Sequence, residues 1–319
     1  MKKELALLSK FATSKHVPIT EYVYLKDGVL TSTDLSTFCQ VNVDIKGEGL
    51  IPLAQLKKIV SKNTIDTIVA DDNRVSIHCG KNVFKYDSMP VDDFPSIPER
   101  GGFVCNLSVD KEFIAMKTFL CNDGLRESLS GLYFSDNGNV VATDAHKMKW
   151  LNKGVKGDFI APKDIFNVPE GDYEIYKSKH WICLKSENFT FYLRLIDAKF
   201  PNYEVVIPED SPESLRISKK ELQKHIDNAL LCAEPTKNVG FIDMGNKRLE
   251  SMDVDSNTEY NGVIDASSNS ELRIGFNLKL MSDVIKSFTE QDDVIIEASE
   301  PSRAMIINKN SLLIPCMSY

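Results

Sequence analysis

Three segments of the chain end in the same way, and their spacing is the feature that most constrains its fold. An apolar run gives way to proline in the sequences FPSIP (residues 94–98), FPNYEVVIP (200–208) and LLIP (312–315). Proline has no backbone N–H to donate to a sheet, so each segment is predicted to end a strand. Because the three endings lie roughly 110 residues apart, they indicate a threefold internal repeat.

The order of the predicted elements also recurs. In each third of the chain, the apolar spacing predicts a helix, short strands, a second helix and further strands. The pairs Thr33-Asp34 and Thr143-Asp144 occupy equivalent places, just after a hairpin. Coincidence among hairpin-rich segments is the alternative, but here order and spacing recur together. The prediction is an α+β protein with three similar domains, at residues 1–100, 101–209 and 210–319.

Local signals place the helices and turns. Ser218, with Glu221 three residues later, has the spacing of a helix capping box. One strand is predicted to return from the first hairpin over residues 29–38, and Asn261-Gly262 is predicted to form a turn. Helices are predicted at residues 2–12, 52–62, 109–121, 162–168, 218–231 and 277–288.

Bulk composition limits the classes of protein. The N-terminal residues carry charge early without a long apolar run behind it, which argues against a secretory signal. No apolar stretch is long enough for a membrane span. The seven cysteines are scattered, without a CxxC pair. This pattern is typical of reduced thiols in a cytoplasmic protein, and not of a disulfide framework or a zinc site.

The positive charge is concentrated on the predicted helices. The chain has a formal net charge of −8, yet its six predicted helices together carry +7, which leaves −15 for the rest. Such a protein can present a basic face to a polyanion despite its acidic total. Solvated helix faces are the simpler alternative. No sequence-reading motif is present, so any nucleic-acid contact would be to the backbone.

No catalytic or cofactor-binding motif is present in the sequence. Asp144 and His146, two residues apart, are the one tempting pair, and they keep a hydrolase open as an alternative. They lack a nucleophile in any recognised context. The remaining histidines do not have metal-ligand spacing and are predicted to serve on the surface or in the core; they are His16, His78, His180 and His225. We expect no metal and no cofactor.

Four segments resemble the bacterial DNA polymerase III beta subunit, the sliding clamp. They are FKYDSMPVDDFPSIP, VATDAHKM, RLIDAKFPNYEVVIP and IGFNLKLMSDVIKSF, and they occur in the right order. The resemblance implies three clamp domains per chain and a head-to-tail homodimeric ring around duplex DNA. Helices would line the hole and antiparallel sheets the outside. The protein would then be no enzyme but a processivity factor for DNA replication, tethering polymerase, clamp loader and other replication or repair proteins.

The resemblance also implies residue roles. Leu230 and Leu231 would lie at the dimer interface. The DNA-facing positions would be Lys57, Lys58, Lys62, Arg126, Lys163, Lys219, Lys220, Lys224 and Lys279. The pocket for a partner's short hydrophobic motif would comprise Leu129, Thr143, Ala145, His146, Lys147, Met148, Pro208, Leu312, Ile314, Pro315, Cys316 and Met317. Simple core packing is the alternative for Leu129, Met148 and Ile314.

The chain departs from the family pattern at several places. Its usual opening strand looks missing, Ala145 stands where glycine is usual, and Glu127 with Ser128 makes the DNA loop less cationic. These departures suggest a divergent clamp of phage or mobile-element type. They also keep open a second reading, a clamp-fold scaffold that binds partner peptides without closing around DNA.

Overall fold

The computed structural model describes residues 1–12, 17–71 and 74–316. These residues form two compact units, one of Met1–Val109 with Asn167–Leu195 and one of Asp110–Phe166 with Ile196–Tyr319. Short helices and almost wholly antiparallel sheets confirm the α+β prediction. The boundaries of the three domains stay a prediction, because the two units divide the middle third between them. No helix in the described part of the chain is long and apolar enough to cross a membrane.

The first third of the chain contains two helices and seven strands among its described residues. They are α1 (Lys2–Leu8), β1 (Tyr22–Lys26), β2 (Val29–Thr33), β3 (Thr37–Asn42), β4 (Lys46–Pro52), α2 (Leu53–Lys62), β5 (Thr67–Asp71), β6 (Arg74–Cys79) and β7 (Asn82–Asp87). The single strand predicted over residues 29–38 is wrong, because a tight turn separates β2 from β3. The apolar stripe predicted for the second helix is buried, with α2 turning Leu56 and Ile59 inward.

The second third contains eight strands and one short α-helix. They are β8 (Gly102–Val109), α3 (Lys111–Ala115), β9 (Gly131–Phe134), β10 (Asn139–Thr143), β11 (Lys147–Asn152), β12 (Phe159–Pro162), β13 (Gly171–Lys177), β14 (Trp181–Lys185) and β15 (Phe189–Arg194). The helix predicted to reach residue 121 is shorter, since 3-10 geometry takes over at Met116–Phe119. The helix predicted from Pro162 is a 3-10 turn at Lys163–Asn167.

The last third, as far as residue 316, contains two α-helices and nine strands. They are β16 (Glu213–Ser218), α4 (Lys219–Ala229), β17 (Val239–Asp243), β18 (Arg248–Asp253), β19 (Thr258–Val263), β20 (Ala266–Ser268), β21 (Arg273–Asn277), α5 (Leu278–Lys286), β22 (Asp293–Ala298), β23 (Met305–Ile307) and β24 (Ser311–Leu313). The Ser218 cap is confirmed, because its Oγ accepts a hydrogen bond from the Glu221 amide at 3.2 Å. The turn predicted at Asn261-Gly262 is wrong, because both residues lie within β19.

Equivalent hydrogen bonds identify equivalent positions in the first and last thirds. The Ser32 hydroxyl in β2 donates to the carbonyl of Leu8 at the end of α1, at 2.9 Å. The Ser251 hydroxyl in β18 donates in the same way to Ala229 at the end of α4, at 2.6 Å. In the middle third, β10 and β11 have the same burial patterns as β2 and β3. The three thirds are therefore structural repeats.

Two of the sheets are assembled across a repeat boundary. In the eleven-stranded sheet of the first unit, β3 of the first repeat pairs antiparallel with β15 of the second. In the nine-stranded sheet of the second unit, β11 of the second repeat pairs antiparallel with β24 of the third. We call these two pairings seams. A four-stranded sheet, β19-β18-β17-β21, lies wholly within the third repeat, whose remaining strands belong to the nine-stranded sheet.

Candidate functional site

The turn at Thr143–Lys147 joins β10 to β11 and is fixed by its own side chains. Asp144 Oδ1 accepts hydrogen bonds from the amides of His146 and Lys147, both at 2.8 Å. The Thr143 hydroxyl donates to the Lys147 carbonyl at 2.8 Å and accepts from the Ala145 amide at 3.1 Å. The Asp144 carboxylate is thus occupied with holding the backbone. This is a structural role, and among the described residues no hydrogen bond joins the Asp144 carboxylate to the His146 side chain.

The equivalent turn between β2 and β3 repeats these bonds. Asp34 Oδ1 accepts from the amides of Ser36 and Thr37 at 2.9 and 2.7 Å. The Thr33 hydroxyl donates to the Thr37 carbonyl at 2.6 Å and accepts from the Leu35 amide at 2.9 Å. The equivalence that the sequence predicted for Thr33-Asp34 and Thr143-Asp144 is therefore confirmed atom by atom.

Both turns place a residue other than glycine in the left-handed backbone region. Ala145 has a φ of 76° and Leu35 a φ of 77°. Residues with a Cβ adopt this region at a cost of about 1 kcal/mol or more, whereas glycine adopts it freely. This explains why glycine suits the position that Ala145 occupies.

We expect Ala145→Gly to raise the free energy of unfolding by up to about 1 kcal/mol, because the strain is removed at a small cost in chain entropy. The urea midpoint at equilibrium measures the change. Leu35→Gly is the matched variant in the first repeat, and Ala142→Gly in β10 should destabilise instead. A lower midpoint for Ala145→Gly would contradict the strain argument.

A cleft of about 190 Å³ opens beside the Thr143–Lys147 turn, within the second unit. The turn and the start of β11 form one wall, the end of β24 another, and the segment after Phe200 a third. The lining residues are Leu129, Thr143, Ala145, His146, Lys147, Met148, Pro201, Asn202, Tyr203, Val206, Leu312 and Ile314. Eight of these were predicted to line a partner pocket, so the structure brings most of that set together.

The floor of the cleft belongs to the hydrophobic core. Leu129, Met148 and Leu312 are almost fully buried and lie in one apolar cluster with Phe200 and Tyr203. The Tyr133 ring stacks on Phe200, with their centroids 4.4 Å apart. The packing role and the pocket role of Leu129 and Met148 are therefore compatible. The floor is thus formed by packed core side chains, and sites for small apolar groups are usually formed in this way.

A larger cavity of about 820 Å³ adjoins the cleft, and Val206 and Ile314 line both. Two further residues of the predicted pocket, Pro208 and Pro315, line this outer cavity. Cys316 lines neither; its amide donates to the Gly275 carbonyl at 2.8 Å. Met317 and His16 lie outside the described residues.

The sequence prediction missed four lining residues, Pro201, Asn202, Tyr203 and Val206. The FPNYEVVIP segment could have indicated them, because it contains all four residues. It follows a strand and folds back over the pocket.

Lys147 is buried in the cleft wall and is not a free cation. Its Nζ lies 2.5 Å from Asp283 Oδ2 and 3.9 Å from Asp144 Oδ2, and its side chain is only 4% exposed. Two carboxylates therefore neutralise it. Lys147 therefore lines the cleft without offering it a free positive charge.

The predicted DNA-facing residues differ in how free their charges are. Most are exposed side chains on helices or at a helix start: Lys57, Lys58, Lys62, Lys163, Lys220, Lys224 and Lys279. Lys219 is half-buried, and its Nζ donates to the Phe288 carbonyl. The Arg126 guanidinium donates to Asp123 Oδ2 at 2.8 Å, and this bond holds the pKa of the Asp123 carboxyl well below its usual range. Their contact with DNA stays a prediction.

The predicted interface residues lie just after α4. Leu231 is 81% exposed, which is unusual for so large an apolar side chain, while Leu230 is partly buried. β19, at the edge of the four-stranded sheet of the same repeat, pairs with β18 only, so one of its edges is open among the described strands. β7 is likewise the last strand of the eleven-stranded sheet.

No protein-family profile matches the chain. Among curated proteins, it is 24% identical to the beta sliding clamp of Pseudomonas putida, over 87% of this chain and 84% of that protein. It is 23% identical to the beta sliding clamp of Vibrio cholerae, over 87% and 84%. The beta sliding clamp of Bacillus subtilis is also 23% identical, over 77% and 72%.

Solved structures share the fold over the whole chain. The DNA polymerase III beta subunit of Pseudomonas aeruginosa superposes with a TM-score of 0.85 at 21% identity, covering 99% of this chain and 97% of that one. The beta subunit of Thermotoga maritima gives a TM-score of 0.80 at 21% identity, covering 100% and 97%. A further Pseudomonas aeruginosa clamp was solved bound to griselimycin, with a TM-score of 0.84 at 20% identity, covering 100% and 97%.

Proposed function

We propose that this chain, a divergent member of the bacterial beta sliding clamp family, is a DNA polymerase processivity factor. Two copies close head to tail around duplex DNA, and the ring tethers polymerase and other replication proteins to their template. The function is topological and requires no catalytic residue. A tethered partner stays near the primer end because its effective concentration there is high. Its place of action is the bacterial cytoplasm.

The repeated seam is the observation that carries the ring. β3 pairs with β15 of the next repeat, and β11 pairs with β24 of the next. The equivalent strand of the third repeat is β19, which pairs only with β18 among the described strands. β7, the counterpart of β15 and β24, pairs only with β6 among them. Pairing β19 with β7 of a second copy continues the pattern, and doing so twice closes six repeats into a ring.

The two seams also predict the register of the proposed pairing between β19 and β7 of the second copy. Ser32 pairs with Cys39 and Ser251 with Tyr260, so Tyr260 is the counterpart of Cys39. Cys39 lies opposite Phe191 across the first seam. The β14–β15 hairpin closes on Ser186 and Phe189, where the Ser186 amide donates to the Phe189 carbonyl at 2.8 Å, and the β6–β7 hairpin closes on the pair Cys79–Asn82. Phe84, two residues after Asn82, is therefore the counterpart of Phe191.

Tyr260 then faces Phe84 of the second copy, on the core side of the sheet. Their neighbours Glu259 and Lys85, both exposed in the single chain, face each other as opposite charges. In this register, an aromatic pair and an ion pair would lie at the proposed junction.

The place of the exposed Leu231 follows from the same equivalence. In the first repeat, Phe11 lies just beyond α1 and contacts Phe191 across the seam, with ring centroids 5.3 Å apart. Leu230 and Leu231 lie just beyond α4, the counterpart of α1. They would therefore pack against Phe84 of the second copy, where Leu231 loses its exposure to water.

Contact with DNA is assigned to the exposed helix lysines. Lys57, Lys58 and Lys62 lie on α2 of the first unit, and Lys220, Lys224 and Lys279 lie on α4 and α5 of the second. Lysine contacts to phosphate are independent of base sequence and weaken steeply with salt. A ring with such an inner surface can slide along the duplex.

Molar mass in solution tests the proposal. Light scattering across a dilution series should give about 72 kDa, two chains of 35.9 kDa, down to low concentration. A mass of 35.9 kDa at every concentration would contradict ring closure. Peptide binding in the cleft by such a monomer would then favour the non-closing scaffold.

A further inference from the structure

The outer cavity beside the partner cleft is lined by carboxylates without matching cations. Glu204, Glu209 and Asp210 all line it, and all three are exposed. None of them forms an ion pair with another described residue. Glu204 accepts one hydrogen bond, at 2.6 Å from the neutral amide of Asn137. The inner cleft and the outer cavity are continuous at Val206 and Ile314, and together we call them the groove. Its outer end therefore carries three unneutralised negative charges.

The cations that line the groove are already paired. In the outer cavity, Arg303 Nε lies 2.7 Å from Glu300 Oε1. In the inner cleft, Lys147 lies 2.5 Å from Asp283. Apart from His146, the described lining residues of the groove offer an incoming acidic group no unpaired basic side chain. Its field favours a positively charged ligand.

Apolar side chains also line the groove along its whole length. Val206 is 46% and Ile314 is 41% exposed, and both residues line the inner cleft and the outer cavity. Val205, in the outer cavity, is 75% exposed. The apolar surface runs from the buried floor at Met148 to the acidic rim. An extended segment can therefore place apolar side chains in the cleft while its neighbouring residues lie beside the three carboxylates.

We propose that the partner segment bound in this groove carries lysine or arginine residues next to its apolar anchor, and that these contact Glu204, Glu209 and Asp210. The inference rests on the proposed function, since it takes the groove to be the site for a partner's linear motif. It adds the charge class of that motif. Complementary charges at a groove rim raise association rates and exclude partners of the wrong sign.

Three synthetic peptides test the charge preference. Each has the apolar core Leu-Ser-Leu-Phe, followed by three lysines, three serines or three glutamates, and carries a fluorescent label for anisotropy. We expect the lysine peptide to bind the full chain about tenfold or more tighter than the glutamate peptide in low salt, as two or three exposed ion pairs allow. The difference should shrink in about 0.5 M salt.

Charge reversal locates the preference. Glu209→Lys with Asp210→Lys should abolish or invert the ranking of the lysine and glutamate peptides and leave the serine peptide nearly unchanged. The matched control is Glu170→Lys with Asp172→Lys, which makes the same change in net charge at exposed positions of the first unit. That control should keep the ranking. Ile314→Ser should weaken all three peptides.

The outcomes separate this inference from the proposed function. If all three peptides bind equally and Ile314→Ser weakens them, the partner groove stands and the charge preference is wrong. Tighter binding of the glutamate peptide also overturns the preference. If no peptide binds at all, the partner groove itself fails, and with it that part of the proposed function.

Discussion

Leu231→Asp is expected to convert the two-chain ring into monomers. Burying one leucine side chain contributes about 1.5–3 kcal/mol, and aspartate would replace that gain with the cost of desolvating a charge. The closed ring contains two equivalent junctions, so the loss is counted twice. The dimer dissociation constant should rise by a factor of at least about 100, because each 1.4 kcal/mol is tenfold.

The matched control for this variant is Leu125→Asp. Leu125 is 89% exposed and lies in the loop before Leu129, away from both β19 and β7 along the chain. Sedimentation velocity at several concentrations should show a dimer for the control and a monomer for Leu231→Asp. Circular dichroism should show both variants folded, since neither side chain is packed in the single chain. A dimeric Leu231→Asp protein would contradict the proposed junction.

Glu112→Ala is expected to destabilise the second unit by about 3 kcal/mol or more. Lys149 has no exposed surface, and its Nζ lies 3.0 Å from Glu112 Oε1. Its other neighbours are the Phe288 ring, 5.0 Å away, and Asn310 Oδ1, 3.4 Å away. Removing the carboxylate leaves a buried ammonium without its counter-charge, a change that typically costs 3–5 kcal/mol.

Lys149→Met is the informative partner of this variant. It removes the charge and keeps a similar volume, so its effect on the free energy of unfolding should be small. Urea unfolding monitored by tryptophan fluorescence compares the two. If Lys149→Met proved as costly as Glu112→Ala, the ion pair itself and not the stranded charge would carry the stability.

The Glu112→Ala deficit should also depend on pH. Burial lowers the pKa of Lys149 from its ordinary value of about 10.5, and Glu112 opposes that shift. Without Glu112 the folded-state pKa falls further, while the unfolded-state pKa stays near 10.5. Between those two values the unfolded state binds more protons, so stability rises with pH. The urea midpoint of Glu112→Ala should therefore approach that of the wild type as pH is raised toward 10.

The sequence correctly predicted the elements that are stabilised by contacts between residues close together in the chain. Ser218 caps α4 as its spacing indicated, and Thr143-Asp144 forms the same turn as Thr33-Asp34 because each side chain bonds to backbone within four residues. The prediction of a turn at Asn261-Gly262 was wrong, because tertiary packing outweighs the local turn preference there. A Cβ on Gly262 would lie 2.2 Å from the Tyr260 hydroxyl and 2.5 Å from His225 Nδ1, so the glycine allows β19 to pack closely against α4.

The two seams could not be predicted from the sequence, for a different reason. β3 and β15 are about 150 residues apart, and nothing in either strand specifies its partner, because pairing depends on which faces are buried and on loop geometry. Most of the outer cavity was missed similarly, although Pro208, Ile314 and Pro315 had been assigned to the pocket. The cavity forms where residues 204–212 meet residues 299–304 and 314–315, segments with no shared local signal.

Retention on circular DNA tests the central claim most directly. Lys85→Cys with Glu259→Cys places two thiols opposite each other in the proposed β7–β19 pairing, at a separation that a disulfide can span. After oxidation in the presence of a nicked circular plasmid, the covalently closed ring should stay with the plasmid in about 1 M salt, where phosphate contacts are screened. Cutting the plasmid once should release it. Loss of the protein from the intact circle, or equal retention on linear DNA, would contradict a ring that encircles the duplex.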